Sequence, residues 1–528
     1  MRSISPLTDP CRPLTDSSAV GGIGRFIVRV TLIKDSVVPA LLRFPLRVLG
    51  APLGALMLVP AFAGAQAAPP PSVRYSPYVF TGPRGDTVHA ELGELIVPER
   101  RANPASRPIT LRFVRFRSTA ARPGAPIVYL AGGPGASGIR TASGPRFPLF
   151  MALRTLGDVI ALDQRGVGQS ATMSACTART ATDPSAPVTR ASLVAFTRDG
   201  LTDCIAQWSA AGIDVDGYTT RESAADIDDL RRALGVPQIA LWGISYGSHL
   251  GLAVLKYHGA SVSRAVFAGI EGLEQTVKRP ALTDSLFVRV QRLIDADTTA
   301  RAAYGDLAAT MRRVHARLDS APQRMTTTPP GASAPITMRI AAFPVQILVG
   351  SMIADPAGIA RVPALYAAMD AGRYDVVAGP LLGALSGMST FAGMPELMDV
   401  ASGIDRARLM LVEREAARGL LGDALNFPMP HLAGIRPSID LGAGFRAPLR
   451  SSVPTLFISG TLDGRTSPVE AAEVRKRFSR GRALIVEHGG HNIFEADPRV
   501  AEAVVTFFRG GTPVERIEMA PPKVFVPR

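Results

Sequence analysis

The pentapeptide Gly243-Ile244-Ser245-Tyr246-Gly247 constrains this chain more than any other feature, because of what stands on either side of it. It follows Ile239–Trp242, an apolar run of strand length, and precedes Ser248–Tyr257, which has helical character. Two glycines let a chain turn sharply from strand to helix, which holds the serine at the turn strained, with its hydroxyl exposed and neighbouring N–H groups aimed at one point. An ordinary Gly/Ser turn could carry the same five letters, but the flanking strand and helix favour a nucleophile at Ser245. Similar Val/Ile/Leu runs recur at Ile127–Leu130, Val159–Leu162, Ala265–Ala268, Thr455–Ile458 and Ala483–Val486, with helical patterns between them. That alternation predicts an α/β chain with a mostly parallel central sheet flanked by helices. Ile109–Phe116 alternates apolar and arginine residues at first and is expected as an antiparallel edge strand at the front of the sheet.

From Glu271 to about Ala447 the strand signals fade, and helical patterns at Asp284–Asp295, Leu307–Leu318 and Met398–Leu420 take over, with a Thr/Pro/Gly/Ser-rich loop at Thr326–Pro335. The expected organisation is a leader over residues 1–67, a first core segment over 68–271, a mainly helical cap over 272–447 and a second core segment over 448–528. The tail Gly510–Arg528 carries no clear pattern.

A serine hydroxyl is a weak nucleophile until a base removes its proton, so a histidine is needed, itself oriented by a carboxylate. On a sheet of this kind the chain order is serine, acid, histidine. The run Thr455–Ile458 leads into a loop carrying Asp463, and Ala483–Val486 leads into the next such loop, carrying His491, so both share a rim with Ser245. Of seven histidines, His89 and His249 are poorly placed, and His258, His315 and His431 fall in helix or cap. His488 competes with His491, which the preceding Gly489-Gly490 favours by letting the backbone approach the nucleophile. Acyl transfer also needs donors for the oxyanion, each worth about 3–4 kcal/mol in the transition state. The loop Ala131-Gly132-Gly133-Pro134-Gly135 supplies one through the Gly133 N–H, and Tyr246 N–H supplies the other. The loop matches neither G-x-G-x-x-G nor a Gly-Lys-Ser/Thr phosphate cradle. No cofactor and no metal is expected.

Arg43 and Arg47 precede the apolar stretch Val48–Phe62, which ends in Ala65-Gln66-Ala67, the pattern of an export signal cleaved before Ala68. A membrane anchor is the alternative, but the stretch is shorter than the ~20 residues a spanning helix needs and Pro52 and Pro60 interrupt it. The expectation is an exported chain, periplasmic or secreted, without a stable membrane anchor after cleavage. Outside the leader only Cys176 and Cys204 remain, an expected disulfide in an oxidising compartment. The formal net charge of +14 would ordinarily suggest nucleic acid, but the arginines are scattered with no basic run of five or more, so no nucleic-acid partner is expected.

Three motifs together resemble the proline iminopeptidase and tripeptidyl aminopeptidase branch of the α/β-hydrolases: Gly132-Gly133-Pro134-Gly135 followed by Ala136-Ser137-Gly138, then Asp163-Gln164-Arg165-Gly166-Val167-Gly168-Gln169-Ser170, then Gly243–Gly247. The middle motif is the most specific, with Asp163 and Arg165 taken as structural, and Glu222–Gly235 resembles the helix before the nucleophile in these enzymes. The resemblance covers about Glu91 to Phe508 and implies an α/β-hydrolase fold, an acyl-enzyme mechanism and action on peptide N-termini. Two departures stand out. Ala131 replaces the histidine usual in proline iminopeptidases, and Val400-Ala401-Ser402-Gly403-Ile404-Asp405 matches only loosely the V-x-C-x-E segment that tripeptidyl-type enzymes offer to the substrate's ammonium. Asp405 or Glu396 is left to supply that charge, against the alternative that both are solvated helix carboxylates. The expected function is an exported serine aminopeptidase-like hydrolase acting on a peptide or small acyl substrate. A carboxylic-ester hydrolase on the same fold is the nearest alternative, and a non-catalytic binding protein a more distant one.

Overall fold

The computed structural model describes residues 71–170, 173–179, 186–328 and 334–527; the expected leader and its expected export signal lie outside the described residues. The apolar runs become neighbouring strands. In chain order these are β1 (Val73–Thr81), β2 (Thr87–Pro98), β3 (Pro108–Phe116), β4 (Ile127–Leu130), β5 (Val159–Leu162), β6 (Ile239–Ile244), β7 (Val262–Ala268), β8 (Thr455–Gly460), β9 (Gly481–Glu487) and β10 (Arg516–Glu518). They share one sheet in the order β1-β2-β3-β5-β4-β6-β7-β8-β9-β10. The first three pair antiparallel, and every pairing from β5 to β10 is parallel.

The central strands are short and wholly apolar because both their faces are covered. Val128, Leu130, Ile160, Leu241 and Phe267 pack on one side of the sheet with helices Thr220–Ala233 and Tyr246–His258, while Ile127, Tyr129, Val159, Trp242 and Val266 pack on the other against Phe150, Val504 and Phe507. All loops at the carboxyl ends of the parallel strands therefore open on one rim.

Four expectations need correction. Ile109–Phe116 is not an edge: β3 lies between β2 and β5, and its arginines pair with acids on the neighbouring strands and loops, Arg112 with Glu94 at 2.8 Å and Arg115 with Asp158. Met398–Leu420 is not one helix but two, Met394–Ser402 and Arg406–Ala416, broken at Gly403, whose φ of 61° a helix cannot hold. The loop expected at Thr326–Pro335 is narrower, since Gln323–Thr327 and Ile336–Ile340 pair as antiparallel strands. In the tail, Arg516–Glu518 adds a strand beside β9.

Between β7 and β8 the chain is mainly helical and builds its own core from Leu286, Val290, Met311, Val314, Val345 and Tyr366. Cys176 and Cys204 form a disulfide, 28 residues apart, that ties the segment after β5 to the helix Arg190–Ala210, in a cluster with Met173, Trp208, Leu397 and Leu432.

Candidate active site

Between β6 and the helix Tyr246–His258 stands a single residue, Ser245, at φ 56° and ψ −130°. That conformation is strained for a side chain with a Cβ and persists only where surroundings impose it. Ser245 N–H donates to the Ala268 carbonyl of β7 at 3.0 Å, and the Ser248 hydroxyl donates to the Ser245 carbonyl at 2.6 Å. The motif glycines are required by close approach: a Cβ on Gly247 would stand 2.0 Å from the Leu130 carbonyl oxygen. The glycine loop lies against Ser245, since a Cβ on Gly132 would stand 3.0 Å from the Ser245 Cβ. Neither Gly133 N–H nor Tyr246 N–H finds a protein acceptor among the described residues, which leaves both free for an oxyanion.

Asp463 lies three residues beyond β8 and His491 four beyond β9, on the same rim. The Asp463 carboxylate accepts from Arg465 N at 2.8 Å, Thr466 N at 2.9 Å, Thr466 Oγ1 at 2.5 Å and His491 Nδ1 at 2.9 Å. Burial alone would push its carboxyl up; the His491 charge and these hydrogen bonds outweigh burial and hold it below the usual range. With Nδ1–H donated to a carboxylate, the neutral ring presents Nε2 as a base. The ring lies over Gly269, the residue after the Ala268 that holds Ser245, and His491 N–H is tied to the Ala354 carbonyl at 2.7 Å. His488 turns away, its Nδ1 bonded to the Met519 carbonyl at 2.9 Å.

Beneath the glycine loop, Asp163 accepts from Ser137 Oγ at 2.6 Å and Ile139 N at 3.0 Å, and Arg165 holds Asp226 with two bonds of 2.7 and 2.6 Å. Both carry structure.

Two acids escaped the sequence reading, one beside Ser245 and one on the helix that crosses the glycine loop. Glu271, buried just past β7, places Oε1 3.5 Å from Ser245 Oγ and pairs with Lys278 Nζ at 2.7 Å. Asp399 is on the cap helix Met394–Ser402. Pro395 of that helix abuts Gly135 of the glycine loop, and Ser402 Oγ bonds His249 Nε2 on the nucleophile's own helix at 3.0 Å. Positions 395, 399 and 402 recur at helical spacing, so Asp399 stands between these two contacts on the face turned to the site. Half-buried and without a side-chain hydrogen bond or ion pair among the described residues, it has its pKa pushed up to about 7, by desolvation first, with Lys278 opposing and Glu271 and Glu396 adding to the rise.

The two acids nominated from sequence are occupied elsewhere. Glu396 caps its own helix, accepting from Gly393 N at 2.8 Å, and Asp405 holds Arg446 at 2.6 Å. The signal that finds Asp399 is its spacing from Pro395 and Ser402, which means something only once the helix is known to lie across the glycine loop. His249 adds a second tie: burial lowers its pKa to about 4, so it is neutral, bonded through Nδ1 to the Gly272 carbonyl at 3.1 Å and through Nε2 to Ser402.

The sequence matches the alpha/beta hydrolase fold family over residues 125–498, a stretch holding every residue of this site. It is 28% identical over 173 residues to a tripeptidyl aminopeptidase of Streptomyces coelicolor, covering 30% of this chain and 31% of that protein. It is 29% identical over 170 residues to the serine protease Hip1 of Mycobacterium tuberculosis, covering 30% and 32%. A probable proline iminopeptidase of Streptomyces coelicolor is 30% identical over 147 residues, covering 28% and 33%. The match thus spans about a third of the length of each of these relatives.

Proposed function

This chain belongs to the alpha/beta hydrolase fold family, and from that membership we propose that it is a serine hydrolase that cleaves peptides from their amino termini. Ser245 Oγ attacks the scissile carbonyl while His491 Nε2 takes its proton, and Asp463 holds the imidazole in the right tautomer and offsets the charge it gains. The tetrahedral oxyanion receives the N–H groups of Gly133 and Tyr246. Collapse expels the amine, which takes the proton from His491, and leaves an acyl ester on Ser245. Water, deprotonated by His491, then attacks that ester and releases the acid.

The observation that carries the peptidase reading is Asp399, an unpaired carboxylate held on the nucleophile's side of the cap helix. An ester substrate gives such a group nothing to bind, whereas a peptide's α-ammonium matches it in charge and hydrogen bonding. The names of the relatives, tripeptidyl aminopeptidase and probable proline iminopeptidase, agree with that reading. Export, drawn from the leader, would place the activity outside the cytoplasm, and the Cys176–Cys204 disulfide fits an oxidising compartment.

The test is a panel of free-amine peptide anilides, their N-acetyl counterparts and simple p-nitrophenyl esters. Free-amine substrates should turn over best, and Asp399→Asn should raise their KM by roughly tenfold or more while leaving ester turnover unchanged. Turnover of esters alone, or an equal effect of Asp399→Asn on all three classes, would make the chain a carboxylic-ester hydrolase instead.

A further inference from the structure

At the opposite end of the sheet from Ser245, the chain gathers arginines that lie far apart or unremarkably in sequence. Arg264 comes from β7, Arg475 from the end of helix Pro468–Arg475, Arg480 from the turn before β9, and Arg482 from β9 itself. Together with Ser479, Thr512 and Glu515 they line a concavity of about 710 Å³ at the amino ends of β8 and β9. A strand of six residues such as β8 separates the two ends by roughly 20 Å at ~3.3 Å per residue. We propose that this concavity binds an anionic group carrying two or more phosphates.

The four guanidiniums are not used by the fold as ion pairs. None of them has an acidic partner within salt-bridge distance among the described residues, and the lone carboxylate of the lining, Glu515, is exposed. Arg264 shows how the site is built: Nη1 donates to the Phe507 carbonyl at 2.9 Å, its guanidinium stacks over the Phe507 ring, and Nη2 lies beside Gly510. The side-chain stem of Arg475 packs over Gly481. Around Arg264, burial first and then the nearby Arg480 charge pull the pKa below the usual value. Four positive charges gathered around one hollow repel each other until an anion enters.

The chemistry of the lining selects the anion. Guanidinium forks match phosphate oxygens two at a time, and hydroxyls from Ser479 and Thr512 add neutral donors. Four cations against one carboxylate leave a surplus that a single carboxylate ligand cannot balance and a diphosphate can. The only ring lining the hollow, Phe507, is buried, so it offers no platform for stacking a base as single-stranded nucleic acid requires.

Calorimetric titration of the full chain with inorganic pyrophosphate tests this, with sulfate as the single-group comparison and vesicles containing cardiolipin, whose headgroup carries two phosphates, as a lipid source. Pyrophosphate should bind at least tenfold more tightly than sulfate, more weakly as salt rises, and at least tenfold more weakly to the double variant Arg480→Ala/Arg482→Ala. A control, Arg361→Ala/Arg373→Ala, removes the same net charge elsewhere and should bind like the parent. Vesicle binding that pyrophosphate displaces identifies a lipid headgroup as the source; pyrophosphate binding without vesicle binding identifies a soluble one. No pyrophosphate binding at millimolar concentration, equal loss in both double variants, or tighter binding of an oligodeoxythymidine lost in Arg480→Ala/Arg482→Ala would overturn the assignment. Because the hollow lies at the far end of the sheet, hydrolysis of the parent's best substrate should be unchanged in both variants.

Discussion

A carboxyl whose pKa stands at about 7 in the folded chain, as that of Asp399 does, keeps its proton where a free aspartic acid has long since lost it. Its folded pKa lies above the unfolded one, so the folded state binds the proton more tightly. The group then weakens the fold as pH rises past its unfolded value near 4, and the cost levels off above 7. Asp399→Asn should therefore raise Tm at about pH 8 and leave it nearly unchanged at about pH 4, measured by thermal unfolding; a lower Tm at the higher pH would mean that the carboxylate is stabilised by a partner. Binding follows the opposite sense, because only the ionised carboxylate attracts an ammonium. For free-amine substrates kcat/KM should rise with pH up to about 7 more steeply than for esters, and that difference in slope should vanish in Asp399→Asn. Asp463→Asn addresses the other acid: it cannot orient the imidazole with Nε2 as base, so kcat should fall by about 10³–10⁴ with KM little changed, read from steady-state kinetics.

At the scale of the element, the proposed recognition of the substrate's ammonium rests on helix Met394–Ser402, and the end of that helix is set by one residue. Gly403 turns the chain at φ 61°, and a Cβ there would stand 2.7 Å from Arg446 Nη1, the guanidinium that holds Asp405 and Asp440. Gly403→Ala should cost about 1–3 kcal/mol in urea unfolding and raise KM for free-amine substrates by shifting Asp399, whereas a change in stability alone would show that the helix is held by Pro395 and Ser402 instead. The same glycine shows where sequence legibility ends. Met398–Leu420 has one continuous helical pattern, and nothing local says that Gly403 breaks it. Strands β4 and β5 match the apolar runs residue for residue, because burial on both faces leaves no polar residue to blur their ends. β1 and β2 had no such signature, since Glu91, Glu94 and Arg74 on them face neighbouring charges across the strands.

Over the whole molecule, Ser245, Asp463 and His491 were legible because each stands just past a fully or largely apolar strand, and a parallel sheet brings such loops to one rim. Glu271 and Asp399 were not, since their meaning depends on which helix covers which loop. The arginine hollow was hidden for the same reason: Arg264 is distant in sequence from Arg475, Arg480 and Arg482, and only the sheet joins them. The Cys176–Cys204 pair, read from number and compartment, bridges 28 residues, and its loss through Cys176→Ser/Cys204→Ser should lower unfolding free energy by about 3–4 kcal/mol, checked against the parent by urea unfolding without reductant.

The most direct test of the account is covalent labelling with a fluorophosphonate, followed by mass analysis of the digested chain. One adduct should form, on the peptide containing Ser245; it should be absent in Ser245→Ala and form far more slowly in His491→Ala. Labelling at another residue, or an adduct that survives Ser245→Ala, would contradict the claim that this serine is the nucleophile.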